Sequence, residues 1–532
     1  MCQSKRYMSR PTRKRKISDG HFNSNLERNI MRKALLILFS LMLSGHLQGE
    51  LKSSVLKMSL PPISLEEVDP AKIVYSHQYI LLENLYRPLV EMDVNGQIVP
   101  GIASKFEFDG NKLIFTFREG AKTASGKPIK AQDAAFSLKR LFIFSTNTHG
   151  DLKSLICPNQ NIKKISDKCS GIEVINNKLI LTFDGPKTFI LPMLTSIDFA
   201  IIPESSVDKI SLQIVDYRNT SGPWYLDSFS KEKAILKVNK NHYYYSKEIP
   251  KKVEIFLSND DFELFKANKI DLIPTVNRSA IKEVIHIDHE ITDTDLHQTT
   301  PIKLSYGVFT SRGMSRLSRS DRMHVAKKVR EVFSQYSKDS LNGYTLTDRF
   351  FPQLGEGDLS KDQHKKLTKA YESFDIHKNK LNKKVKVGIF RFHEWKTKLY
   401  DLYDKSQIAN FGFEVINGLP SKDKYSDIDF YLIEGDTGFF ESITLLSYYS
   451  SVDNVLFGDS TQSKKFIETY VKEEIKSKRL RLLRDVHFEM LSSYRVVPLA
   501  VRPYIAISRN GWKLDHSRFF ANFPLWLVTK KN

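Results

Sequence analysis

Cysteine is scarce in this chain, with three in 532 residues. Neither Cys157 nor Cys169 has a Cys-x-x-Cys partner or a neighbouring histidine, which argues against a metal site. Long apolar runs are lacking too: Ala34–Leu43 is well short of the roughly 20 residues needed to cross a bilayer. No Gly-x-Ser-x-Gly or His-Glu-x-x-His occurs, and no catalytic set assembles along the sequence, so hydrolase chemistry is disfavoured and no enzymatic activity is expected. An excess of acid is missing as well, since the formal charge is +20.

What is present is ordinary for a globular protein, 41% hydrophobic and 27% charged, and too long for one hydrophobic core, so at least two lobes are expected. Residues 1–49 hold ten Lys or Arg and two acids, so the remainder still carries +12. Arg32-Lys33, the apolar run and a small-residue zone read as a secretory signal over residues 31–49. Met31 opens that signal by itself, which makes residues 1–30 an extended n-region or a mis-assigned start. His46 stands where a lipoprotein would carry its cysteine, so the expected product is exported to the periplasm and not lipidated. In an exported protein, two cysteines closing a short loop predict a disulfide between Cys157 and Cys169. The basic tract Arg10–Lys16 lacks helix-turn-helix spacing, and the arginine-rich stretch Arg312–Arg322 has no interleaved aromatics, so nucleic acid is not an expected partner.

The most informative stretch is Tyr86–Arg140. A polar turn at Asn95-Gly96 leads to a strand in which Leu113, Phe115 and Phe117 alternate with Lys112, Thr116 and Arg118. Ser125-Gly126-Lys127-Pro128 then breaks the chain before a helix with Ala134, Leu138, Leu141 and Phe142 at helical spacing and Asp133 in its first turn. The ordered set Tyr86, Leu89-Val90, Asp93, Gly96, Pro100, Ala103, Gly126-Lys127-Pro128, Ala131, Asp133, Phe136-Ser137 and Arg140 resembles the signature of the peptide/nickel class (family 5) of extracytoplasmic solute-binding proteins. Asp69-Pro70 resembles that family's opening element, and Gly222-Pro223-Trp224-Tyr225 through Asn239, Asn241 and Tyr243 resembles its second block.

The resemblance implies an α/β fold of two-lobed periplasmic-binding-protein architecture, type II with an enlarged first lobe, joined by a hinge. The expected division is residues 1–49 extension and signal, 50–255 lobe I, 256–490 lobe II and 491–532 returning to lobe I. Tyr75, Ser76 and His77 follow the opening element and become ligand-cleft candidates, and Trp224 is another. Ile428–Leu446 resembles the family's ligand loop, which adds Gly435, Asp436 and Thr437 and implies that Asp436 faces the ammonium group of a peptide. Asp436-Thr437-Gly438 reads equally well as a plain turn. The implied function is capture of a peptide or other small solute, without a cofactor and as a monomer, for delivery to a membrane ABC permease. A receptor-like sensor is the alternative.

Two further motifs are expected to carry no chemistry. Gly120–Lys127 has one residue too many for a phosphate loop, and Pro128 replaces the hydroxyl residue that would hold magnesium. The cluster His286, Asp288, His289, Glu290 and His297 has metal-ligand residue types, but its spacing matches no defined site, so it is expected to be an exposed polar segment.

Overall fold

A computed structural model describes residues 55–530 except 74–75, 94–96, 145–149, 184–186, 275–293, 300–302, 339–343, 352–356, 391–395, 407, 409, 417–424, 437–465, 467–468, 471, 474 and 515–523. The signal segment and the polar cluster at 286–290 therefore lie outside the described residues. In chain order the strands are β1 (Val55–Leu60), β2 (Val90–Met92), β3 (Ile98–Pro100), β4 (Ala103–Asp109), β5 (Lys112–Phe117), β6 (Ile172–Ile175), β7 (Lys178–Thr182), β8 (Trp224–Phe229), β9 (Lys233–Val238), β10 (Lys252–Leu257) and β11 (Leu272–Ile273). There follow β12 (Thr294–Gln298), β13 (Lys303–Phe309), β14 (Thr345–Leu346), β15 (Val385–Phe390), β16 (Phe411–Ile416), β17 (Phe430–Asp436), β18 (Val496–Arg502), β19 (Ile505–Arg509), β20 (Trp512–Leu514) and β21 (Val528–Lys530).

Two large mixed sheets carry the two lobes. The first runs β12-β19-β11-β1-β10-β9-β8, and the second β14-β18-β13-β17-β15-β16. In β1, Leu56, Met58 and Leu60 are buried on one face, while on the other Lys57 is exposed and Ser59 is buried. A separate four-stranded sheet, β4-β5-β7-β6, enlarges the first lobe. There Leu113, Phe115 and Phe117 face a core shared with Ala134, Leu138, Leu141 and Phe142 of the helix Ala131–Phe144, as the period-two and helical spacings predict. Cys157 and Cys169 lie in that core, bonded to each other with 5.0 Å between Cα atoms.

The sheets also revise the expected division of the chain. β10, β11 and β12 all belong to the first sheet, so the change of sheet falls between β12 and β13, at 299–302, and not at 255/256. The helix Lys476–Ser492 and β18 stay with the second sheet, so the return falls at 503–504 and not at 491. A strand's alternation shows which face is buried but not which neighbour it pairs with, and here pairing decided the boundary.

Many residues that carry the family resemblance prove to be scaffold. Arg140 and Asp69 form a buried bidentate pair, at 2.9 and 2.5 Å, and the Arg140 Nε also donates to the Leu212 carbonyl at 2.8 Å. Asp133 accepts the Lys130 and Glu204 amides, Asn239 donates to the Lys122 and Gly222 carbonyls, and Asn241 donates to the Thr123 carbonyl. The failed phosphate loop is a turn in which Gly120 and Gly126 hold φ of +78° and +82°, a region that favours glycine. In the second lobe, the helix Arg319–Ser337 starts on a Ser318–Asp321 capping box and buries Val325, Val329 and Phe333 against Val385, Val387 and Ile389. The arginine-rich stretch is spent internally: Arg316 and Arg312 reach the buried Asp429 at 2.6 and 3.1 Å, and Arg322 donates to the Leu317 and Ser493 carbonyls.

Candidate functional site

The chain passes between the two sheets twice, and the crossings run side by side. Thr299 donates its amide to the Tyr504 carbonyl at 3.0 Å, and Tyr504 donates its amide to the Thr299 hydroxyl at 2.9 Å. Just beyond this neck, Lys303 on β13 stands opposite both Arg502 on β18 and Asp436 on β17. β15 and β16 run parallel to β17, so the carboxyl ends of three parallel strands point toward the neck. In open α/β sheets that is the end at which ligands bind.

A buried ionic cluster is built into the same strand ends. The Glu434 carboxylate is fully buried and receives Arg502 bidentately, from Nε at 2.8 Å and Nη2 at 3.0 Å. The hydroxyls of Ser305 and Tyr344 each lie 3.2 Å from Glu434 Oε1, and the Lys303 ammonium lies 3.6 Å from Oε2. Arg502 also stacks over the Tyr344 ring, and Lys303 over Tyr504. Two cations and two hydroxyls thus surround one carboxylate, the multiple pairing a buried charge needs. Strand alternation puts Lys303, Ser305, Glu434 and Arg502 on one face of the sheet, because directly paired residues share a face.

The candidate residues fare differently. Gly435, half-buried, and the Asp436 backbone form the last two positions of β17, paired with Leu304 and Lys303. Asp436 thus continues a strand, while Thr437 and Tyr75 fall outside the described residues. Ser76 opens the helix Ser76–Leu85. His77 is half-buried in its first turn, and burial holds its pKa below the usual histidine range against the opposing pull of Glu67. Trp224 is a correction. Its side chain is fully buried in the first lobe's core and its indole N–H donates to the Pro250 carbonyl at 3.2 Å, so it supports β8 and offers no surface to a ligand.

Sequence reasoning did not find the Glu434 cluster. Ser305 and Arg502 lie 129 and 68 positions from Glu434 along the chain and share no motif with it, and the pairing of β13 with β17 and β18 brings them together. Among the described residues no group of three metal-ligating side chains exists. His297 is held on β12 by a 2.9 Å contact with the Ser508 hydroxyl. No helix among the described residues is long and apolar enough to cross a membrane.

Comparison with known proteins agrees with this architecture. Residues 97–311 match the model of bacterial extracellular solute-binding proteins, family 5, middle part. The chain is 36% identical over 99 residues to the periplasmic murein peptide-binding protein MppA of Escherichia coli, covering 18% of each chain. It is 24% identical over 243 residues to the periplasmic oligopeptide-binding protein OppA of Salmonella typhimurium, covering 43% of this chain and 44% of that one. These alignments span less than half the length of the curated relatives. The fold extends further. The structure of NikA from Brucella suis in complex with Fe(III)-EDTA superposes with a TM-score of 0.71 at 15% identity, over 90% of this chain and all of that one. The Escherichia coli murein tripeptide-binding protein MppA superposes with a TM-score of 0.65 at 15% identity, over 90% and 98%. Over residues 97–311 this chain is thus similar to the family 5 bacterial extracellular solute-binding proteins, and over most of its length it shares their two-lobed fold.

Proposed function

We propose that the protein is a periplasmic receptor that captures a small solute, a peptide, between its two lobes and presents it to an ABC-type permease. The observation that carries the reading is the double neck, with a charged, polar face at the carboxyl ends of β15, β16 and β17 beside it. Two side-by-side crossings act as a hinge, and a ligand touching both lobes stabilises the closed form by its greater affinity for it. No bond is made or broken in this cycle. The receptor works as a monomer, without lipid or cofactor, and the permease reads the closed form.

In this reading Gly435, Asp436 and Thr437 line one side of the ligand and Tyr75, Ser76 and His77 the other. The Asp436 carboxylate takes the ligand's ammonium group, in competition with Lys303 across the strand pair. Thermal-shift and calorimetric titrations with trialanine, trilysine, a murein tripeptide and nickel test the proposal, because ligand binding to the folded state raises its melting temperature. A saturable shift with at least one peptide, lost on N-acetylation, is the expected result. No shift with any peptide overturns it.

A further inference from the structure

The second lobe contains a cavity of about 420 Å³ that shares no residue with the neck cluster. Its volume is in the range of about 300–1,000 Å³ typical of small-molecule sites. It lies beside the edge strand β14, between the helix Arg319–Ser337 and the end of the helix Lys361–Ser373, and its wall includes Lys327, Arg330, Phe333, Leu346, Tyr371 and Leu499.

Lys327 and Arg330 are one helical turn apart and both reach over the Tyr371 ring, at 5.0 and 5.5 Å. Each is held in place by neutral acceptors. Lys327 donates to the Phe374 carbonyl at 2.6 Å, and Arg330 Nη1 donates to the Thr347 and Pro498 carbonyls at 3.2 and 2.6 Å. The carboxylate on the same wall, Glu331, is already paired with Lys328 at 3.1 Å. Carbonyl oxygens fix a cation's position without cancelling its charge, so two adjacent, half-buried positive charges share one partly enclosed space without a carboxylate of their own among the described residues. Phe333, Leu499 and the half-exposed Leu346 give the rest of the wall an apolar surface.

We infer that this cavity is a second binding site, for a small organic monoacid whose carboxylate lies between Lys327 and Arg330 while its apolar body rests on Leu346 and Tyr371. It is independent of the solute site at the neck.

Calorimetry with 3-phenylpropionate as probe, and 3-phenylpropan-1-ol as the uncharged control, tests the assignment on the full chain. Saturable binding of the acid is expected, with the alcohol weaker by about tenfold or more, since a charge-assisted contact is lost. Lys327→Gln should weaken the acid by about tenfold. Leu346→Asp, at an exposed edge position where the fold tolerates charge, should weaken it at least as much by repulsion. Asp436→Asn and a saturating peptide should leave acid binding unchanged. The inference fails if the acid does not saturate at millimolar concentration, if acid and alcohol bind alike, if Lys327→Gln and Leu346→Asp bind as the parent does, or if peptide competes with the acid.

Discussion

Each lobe contains a buried arginine–carboxylate pair, and the two are built differently. Arg140–Asp69 in the first lobe has side chains only 1% and 2% exposed, and its carboxylate also caps a short helical turn through the Ala71 amide. Arg502–Glu434 in the second lobe keeps an arginine 11% exposed and adds Lys303, Ser305 and Tyr344 around the acid. Among the described residues the first pair has one cation for one anion and no substitute. The second has a spare cation and lies next to the neck. The contrast separates a pair that locks a scaffold from one that keeps a charged face in order where the lobes meet.

Arg140→Met should produce the largest loss, about 3–5 kcal/mol in urea denaturation, because Asp69 is left charged and buried with no second cation. A loss below about 1 kcal/mol would show that the first-lobe pair is no lock.

Acid should loosen the second lobe through His487. Its Nδ1 donates to the Gly357 carbonyl at 3.1 Å, its Nε2 accepts the Phe350 amide at 3.1 Å, and burial pushes its pKa down to about 4. The folded value lies below the ordinary 6.5, so the unfolded chain takes up the proton first. The stability this histidine contributes is therefore complete above about pH 6.5 and is lost as the pH falls toward 4, at most about 3 kcal/mol. Melting temperature followed over that range should fall more steeply in the parent than in His487→Gln, and parallel curves would remove His487 from the explanation.

Arg502→Met should cost less than Arg140→Met, about 2 kcal/mol, since Lys303 and the two hydroxyls still compensate Glu434. Equal losses in the two variants would erase the distinction between the pairs.

The smallest effect belongs to Asp436→Asn, which keeps shape and removes charge. A loss of about 1.5 kcal/mol in peptide affinity, read by calorimetry with the fold intact, is expected for a contact to the ligand's ammonium. Unchanged affinity would leave Asp436 as a strand-end residue without a part in ligand binding.

Much of the first lobe was legible because its signals are local. The alternation of Leu113, Phe115 and Phe117, the helical spacing of Ala134, Leu138 and Leu141, and the short loop between Cys157 and Cys169 each concern residues that meet within one or two elements. Trp224 shows the limit of such reading, since a large aromatic after a Gly-Pro turn looks the same in sequence whether it faces a ligand or, as here, the core.

By itself the sequence determined the family resemblance, the two-lobed α/β class, the first-lobe scaffold and the disulfide, because short-range periodicity, turn chemistry and an ordered motif depend on neighbours along the chain. Tertiary structure alone decided where the chain changes sheets, which acid is surrounded by cations at the neck, and that Lys327 and Arg330 line a cavity with no carboxylate of their own among the described residues. These follow from strand pairing and helix packing between residues distant along the chain, and a pleated strand carries the same alternation whichever partner it finds.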